Sequence, residues 1–159
     1  STRAMKKSLW QWAGAALLLT LLAACIGDKV YYSYDHTPLN GWEKNDTLIF
    51  GVPKMQAEGM YKSHLLLRVS QAYPFMSLAL IVEQTVLPSN QTHTDTLKCR
   101  LIDEKGQTKG QGLNYYQYTF PINSMRLHAG DSLQIKVRHD MKREILPGVS
   151  DIGIQITHQ

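Results

Sequence analysis

The chain has 159 residues, 43% of them hydrophobic, which is enough for one domain once an N-terminal signal is set aside. Its formal net charge is +4, but Arg3, Lys6 and Lys7 precede Cys25, whereas all 13 acidic residues follow it. The part after Cys25 is therefore nearly neutral, which argues against nucleic-acid binding, and two cysteines, Cys25 and Cys99, exclude a disulfide framework or a CxxC metal or redox motif.

The first 24 residues have the pattern of a secretory signal. Lys6 and Lys7 supply a positive charge, and residues 12–24 are apolar except for Thr20. This apolar run is shorter than the roughly 20 residues that a membrane-spanning helix requires. We therefore predict a signal peptide over residues 1–24 that is removed from the protein.

The signal leads directly into Leu-Ala-Ala-Cys at residues 22–25, which resembles a bacterial lipobox. In proteins with that signal the cysteine receives a diacylglyceryl thioether, and its new amino group is then acylated, for which we expect palmitate. Each buried CH₂ contributes roughly 0.8 kcal/mol, so two or more chains anchor a protein firmly. The resemblance implies that Cys25 is lipidated; the alternative is an ordinary secretory signal in which Cys25 merely follows the cleavage site.

The residues after Cys25 predict which membrane holds the anchor. Residues 25–29 are interpreted as the lipidated cysteine and a short tether, followed by one domain over residues 30–159. Ile26 stands where an aspartate would retain a lipoprotein in the inner membrane, so the general sorting rule predicts the outer membrane. Asp28 is the one acid of the tether and is followed by Lys29, unlike the acidic cluster of surface-exported lipoproteins, so we expect the periplasmic face.

The remainder of the chain has the pattern of short strands separated by turns. Apolar runs, several of them alternating with polar residues, predict eight strands, over residues 30–34, 47–52, 64–70, 77–86, 92–101, 115–120, 132–139 and 152–157. Pro53, Pro88 and Pro121 are interpreted as strand ends, and residues 54–62 and 103–112 as loops. Because no helical period appears, we predict an all-β, antiparallel β-sandwich, jelly-roll-like, with a barrel as the alternative.

Alternation also predicts the side chains of the core. In the last two strands six apolar residues alternate with polar or small ones, and these are predicted to be buried: Leu133, Ile135, Val137, Ile152, Ile154 and Ile156. Cys99 shares an apolar face with Leu97 and Leu101, which indicates a buried structural thiol. Pro74 cannot donate to a sheet ladder, so residues 73–75 are expected between strands.

Residues with catalytic chemistry are present but not arranged for it. His36 follows Asp35 and His139 precedes Asp140, yet adjacent residues on a strand point to opposite faces. There is no G-x-S-x-G elbow and no histidine pair at metal-ligand spacing. We therefore predict that the protein is not an enzyme and holds no cofactor or metal. The alternative of a Ca²⁺ site rests on four aspartates, Asp95, Asp131, Asp140 and Asp151.

Aromatic side chains are the more informative feature. Tyrosine combines a large apolar face with a polar tip, which suits protein or glycan surfaces, although half of each alternating run is expected in the core. Trp42 and Tyr73 fall in predicted loops, and Phe75 is close to Tyr73. We predict that Trp42, Tyr73 and Phe75 contribute to an interaction surface.

Nearly the whole chain after the signal resembles the gliding-motility lipoprotein family H (GldH type) of Bacteroidetes. The segments that carry the resemblance are, in order, Cys25, residues 31–34, 40–42 and 46–50, Arg68, residues 73–75, Leu78, and residues 95–97, 106–112, 139–141 and 146–153. The resemblance implies an outer-membrane lipoprotein of an envelope machine for gliding and surface-protein handling, without enzyme activity or cofactor. We expect a protein partner; the alternative is a glycan-binding envelope module.

Overall fold

The computed structural model describes residues 28–112 and 114–159; the predicted signal peptide and the predicted lipidation of Cys25 lie outside these ranges. The described chain forms ten β-strands. They are β1 (Asp28–His36), β2 (Trp42–Glu43), β3 (Leu48–Val52), β4 (Gly59–Ser70), β5 (Ser77–Leu87), β6 (Gln91–Arg100), β7 (Tyr115–Leu127), β8 (Ser132–His139), β9 (Ile145–Leu146) and β10 (Val149–His158). Within those ranges no helix has the length and apolarity needed to cross a membrane.

The strands form two four-stranded antiparallel sheets and a short ribbon. The front sheet has the order β1-β10-β4-β7, the back sheet has the order β3-β8-β5-β6, and β2 pairs with β9. Consecutive long strands alternate between the two sheets except at the β5–β6 hairpin, which is the jelly-roll arrangement. The predicted antiparallel sandwich is confirmed, and each of the eight predicted strands overlaps one of the eight long strands.

The core lies between the two sheets and follows the predicted alternation. All six apolar side chains that the sequence assigned to the core are no more than 3% exposed, and Cys99 is equally buried. Leu65 and Leu67 of β4 pair with Ile154 and Ile152 of β10, so the two central strands of the front sheet present a continuous apolar face. Stabilisation therefore comes mainly from burial of this face against the back sheet.

Three predicted boundaries are wrong. The strand predicted to end at Pro121 continues to Leu127. Proline is tolerated here because β7 is an edge strand. The next residue, Ile122, forms a β-bulge, where the register with β4 shifts between Ser63 and His64. Residues 59–62, predicted as a loop, begin β4, because pairing with both β7 and β10 imposes the strand. β1 begins at Asp28, so Asp28 and Lys29 belong to the strand and not to the tether.

The front sheet has two ends, because β1 begins at one of them and ends at the other. At the first end, which we call the anchor end because the predicted lipidation site precedes it in the chain, Asp28 pairs with His158, whose ring stacks on Tyr61 with centroids 4.6 Å apart. At the far end, His36 pairs with Asp151, about 26 Å away along β1 at roughly 3.3 Å per residue. The loops that follow β1 and β4 therefore extend from the far end, opposite the end at which β1 begins.

Candidate functional site

Three exposed apolar side chains lie at or near the far end. They are Leu39 in the loop after β1, Met76 in the loop before β5, and Tyr115 at the start of β7. Leu39 and Tyr115 line one cleft of about 380 Å³ together with Ser70 and Gly148. Exposed apolar residues around a cleft are typical of a protein-binding surface, and we refer to Leu39, Met76 and Tyr115 as the far-end surface.

Tyr73 and Phe75 flank this surface and are half-buried. Their rings meet edge to face with centroids 5.8 Å apart, and the Tyr73 hydroxyl donates to the Ser77 carbonyl at 2.7 Å. Burial raises the pKa of Tyr73, so its hydroxyl remains a donor at any physiological pH. Residues 73–75 lie between β4 and β5, as predicted for Pro74. Their role in binding stays a prediction.

Trp42 is not part of any exposed surface, so the prediction for this residue is wrong. Its side chain is 0% exposed, and its indole N–H donates to the Asp46 carbonyl at 2.7 Å. The ring meets His139 edge to face, with centroids 5.2 Å apart. The cause is the β2–β9 ribbon, in which Trp42 pairs with Leu146 and joins the apolar core of the sandwich.

His36 and His139, the two histidines that lie beside aspartates in the sequence, have structural surroundings of different kinds. His139 is fully buried, burial lowers its pKa, and its Nε2 lies 3.0 Å from the Trp42 carbonyl oxygen. His36 contacts Asp151 across the β1–β10 pairing, and Asp151 accepts a hydrogen bond from the Ser150 hydroxyl at 2.7 Å. The serine therefore contacts the carboxylate and not the imidazole, which is not the nucleophile–base contact of a hydrolase.

The four aspartates considered for Ca²⁺ do not come together. Asp95 accepts from the Asn123 amide at 3.2 Å, and Asp131 accepts from the His128 backbone N–H at 2.9 Å. Asp151 is occupied at the far end of the front sheet. Across residues 28–112 and 114–159, no three His, Cys, Asp or Glu side chains gather as metal ligands.

A second candidate site, which the sequence did not indicate, is a cleft of about 700 Å³ on the outer side of the front sheet. We call it the basic cleft, because four cationic side chains line it and no acidic one does: Lys29 of β1, Lys98 and Arg100 of β6, and Lys109. Lys109 belongs to the loop before β7. The Gln111 and Gln117 backbones bond to each other at 3.0 and 3.3 Å, which fixes this loop along the edge strand.

Tyrosines form the other wall of the basic cleft. Tyr32 is 52% exposed and meets Tyr34 edge to face at 5.6 Å. Tyr34 lies across Gly153, and the Arg68 guanidinium lies 3.9 Å from its ring centroid. Burial, with a smaller contribution from a hydrogen bond with Tyr32, raises the pKa of Tyr34 to about 12. Tyr32 and Tyr34, which we call the tyrosine wall, are therefore uncharged, and the Arg68 guanidinium and the sheet at Gly153 hold the ring of Tyr34 in place.

Comparison with known proteins gives one family. The profile of a family described as GldH lipoprotein matches residues 29–156. The Flavobacterium johnsoniae protein named gliding motility lipoprotein GldH is 27% identical over 153 residues, which cover 88% of this chain and 91% of that protein.

Similar solved structures include two carbohydrate-binding modules of family 35. The module from Clostridium thermocellum is 12% identical, with a TM-score of 0.40, over 81% of this chain and 89% of that chain. The module from Cellvibrio japonicus Abf62 is 9% identical, with a TM-score of 0.36, over 78% of this chain and 92% of that chain. These likenesses concern the sandwich architecture alone.

Proposed function

Because this chain belongs to the GldH lipoprotein family, we propose that it is a lipid-anchored accessory protein of the outer membrane that binds a protein partner in an envelope machine. The family is associated with gliding motility by name. We propose three more specific points: the protein is located at the outer membrane, Cys25 is acylated, and the domain binds a protein partner.

The observation that carries the proposal is the separation of the anchor end from the far-end surface. Asp28 follows Cys25 by three residues, which span at most about 11 Å when extended. The far-end surface lies at the other end of β1, about 26 Å further along the strand. A domain held at Asp28 can therefore present Leu39, Met76 and Tyr115 away from the membrane.

The chemistry of the far-end surface suits a protein partner. Leu39 and Met76 are apolar, strongly exposed and located on separate loops, and Tyr115 adds an aromatic ring of the kind enriched in interfaces. Tyr73 and Phe75, in the same loop as Met76, pack against the core, which limits the ordering of this loop that binding would require. A binding role also agrees with the absence of a nucleophile–base contact around His36 and His139.

Affinity capture from chemically crosslinked envelopes tests this proposal. We expect the lipidated wild-type protein to retain at least one envelope protein repeatably, and a variant with Leu39→Glu and Met76→Glu to lose it. Both substituted side chains are exposed, so folding is expected to change little. Ile49→Glu is the matched control, because Ile49 is an exposed isoleucine on β3 of the back sheet.

Two outcomes would contradict the proposal. One is that no protein is captured repeatably from wild-type envelopes. The other is that the double variant, with an unchanged midpoint of thermal unfolding, captures the same partner as the Ile49→Glu control.

A further inference from the structure

We propose that the basic cleft binds an anionic glycan, a saccharide that carries carboxylate, sulfate or phosphate groups. This activity is separate from the protein-binding role, because the basic cleft and the far-end surface share no lining residue.

The charge of the basic cleft favours an anionic ligand. Lys29, Lys98, Arg100 and Lys109 are all exposed, and none of them forms an ion pair with a described residue. They come from three separate parts of the chain, so the fold gathers them on one concave surface. Cations that converge without a carboxylate partner attract anionic ligands and form charge-assisted hydrogen bonds with them.

The nearby described acids form no ion pair with these cations. Asp103 and Glu104 lie in an adjacent depression shared with Arg100 and Lys109. One oxygen of the Asp103 carboxylate, Oδ1, accepts from the backbone N–H groups of Lys105 and Gln107 at 2.9 and 2.8 Å. Asp103 therefore stabilises the turn of its own loop, and among the described residues neither it nor Glu104 forms an ion pair with Arg100 or Lys109.

The uncharged lining of the cleft favours a saccharide over a simple anion. Gln111, Gln117 and Gln155 offer amide donors and acceptors, and Thr119 offers a hydroxyl, which together match the hydroxyl groups of a sugar ring. The exposed ring of Tyr32 provides an apolar face for the C–H face of a pyranose. A phosphate ion or an anionic membrane surface would contact only the cationic side chains and would make no use of these amide, hydroxyl and aromatic groups.

The tyrosine wall is arranged before any ligand arrives. Arg68 holds Tyr34 from one side, Tyr34 contacts Tyr32, and the Lys29 amino group lies 5.3 Å from the Tyr32 ring centroid. The volume of about 700 Å³ lies within the range of about 300–1,000 Å³ that is usual for ligand sites. The cleft is therefore large enough for a short oligosaccharide.

Calorimetric titration of the lipidated protein in a polyoxyethylene detergent tests the proposal. The probes are tetragalacturonate, neutral maltotetraose and inorganic phosphate. We expect saturable binding of tetragalacturonate. Maltotetraose should bind at least about tenfold more weakly, because a neutral sugar cannot form the charge-assisted hydrogen bonds. Raising NaCl from about 50 mM to about 500 mM should weaken tetragalacturonate binding several-fold, because salt screens exposed charges.

Variants separate the two parts of the site. The double variant with Lys98→Gln and Arg100→Gln should bind tetragalacturonate about tenfold more weakly, because it loses two exposed charge contacts with the ligand. Tyr32→Ala should weaken it several-fold through lost ring contact. The pair Lys54→Gln and Lys142→Gln, two exposed lysines outside the cleft, is the matched control and should leave the Kd unchanged.

The proposal is overturned if tetragalacturonate shows no saturable binding, or if maltotetraose binds equally well. It is also overturned if phosphate competes fully while Tyr32→Ala has no effect, which would identify a nonspecific anion surface. A negative result in any of these glycan-binding tests would leave the proposed protein binding at the far-end surface unaffected. Failure to capture a protein partner would likewise leave glycan binding at the basic cleft unaffected.

Discussion

The ring of Tyr34 lies across Gly153 on the outer face of the front sheet. A Cβ atom on Gly153 would approach the Tyr34 ring to 2.9 Å, the Ser33 carbonyl oxygen to 2.9 Å and the Leu66 Cβ to 3.1 Å. Glycine at the middle of β10 thus lets an aromatic ring from β1 cover Leu66 of β4, which is buried although it faces away from the core. This contact positions the tyrosine wall of the basic cleft.

Gly153→Ala should therefore destabilise the protein by about 1–3 kcal/mol, the usual cost of inserting a methyl group into a close-packed site. Urea unfolding followed by circular dichroism measures the difference. Gly51→Ala is the matched control, because Gly51 lies in β3 and a Cβ atom there would have open space around it. It should be neutral or stabilising by up to about 1 kcal/mol, and equal losses in both variants would contradict the packing described here.

Ile154→Ala should cost about 2–5 kcal/mol, because its fully buried side chain lies between the sheets and its removal leaves a cavity. Ile49→Ala removes the same atoms from a side chain that is 56% exposed, so its effect should stay below about 0.5 kcal/mol. Denaturant midpoints at an unchanged slope give both values. If Ile49→Ala proved the more damaging of the two, the strand register would be wrong.

His139 makes stability depend on pH. Burial is the main cause of its lowered pKa, and the Trp42 carbonyl opposes that shift only in part. Above about pH 6.5 the imidazole is neutral in both the folded and the unfolded chain. As the pH falls through about 6.5 the unfolded chain binds the proton first, so the free energy of unfolding decreases until the lower folded pKa is reached.

Replacement by a group that does not titrate should remove this contribution. His139→Gln is expected to lower stability at pH 7.5, yet to lose less further stability between about pH 7 and pH 5 than the wild type. His64, whose pKa burial also lowers, is present in both proteins, so the difference between the two slopes reports His139. Parallel slopes would show that His139 does not titrate differently on folding.

Lipidation of Cys25 is tested by growing cells with an alkyne-tagged palmitate. The wild type should incorporate the label and partition into membranes, and Cys25→Ala should incorporate none. Cys99→Ala is the matched control and should keep the label, because Cys99 is buried and burial raises its thiol pKa to about 12, which suppresses the reactive thiolate. Label retained by Cys25→Ala would refute the anchor.

Protease treatment of cells tests the predicted periplasmic face of the outer membrane. Proteinase K added to intact cells should leave the domain whole, and the same treatment after permeabilising the outer membrane should digest it. A known surface lipoprotein, cleaved in both conditions, is the control. Digestion in intact cells would place the domain on the cell surface.

The sequence alone was sufficient for the class of fold and for its core. Side chains alternate every second residue along a strand, so Leu133, Ile135 and Val137, like Ile152, Ile154 and Ile156, were assigned to the core from local pattern. The resemblance to the family was likewise recognised from the order of short sequence segments, because comparing such segments requires no knowledge of tertiary contacts. Both inferences depend on residues that are close together in the chain.

Only the tertiary structure decided which residues form the sites. The burial of Trp42 depends on pairing with Leu146, about a hundred residues away, and the basic cleft joins Lys29 to Lys98 across two sheets. The continuation of β7 past Pro121 follows from its place at a sheet edge. These relationships depend on the order of strands, which is set by the packing of the whole sandwich and leaves no periodic trace in any one segment.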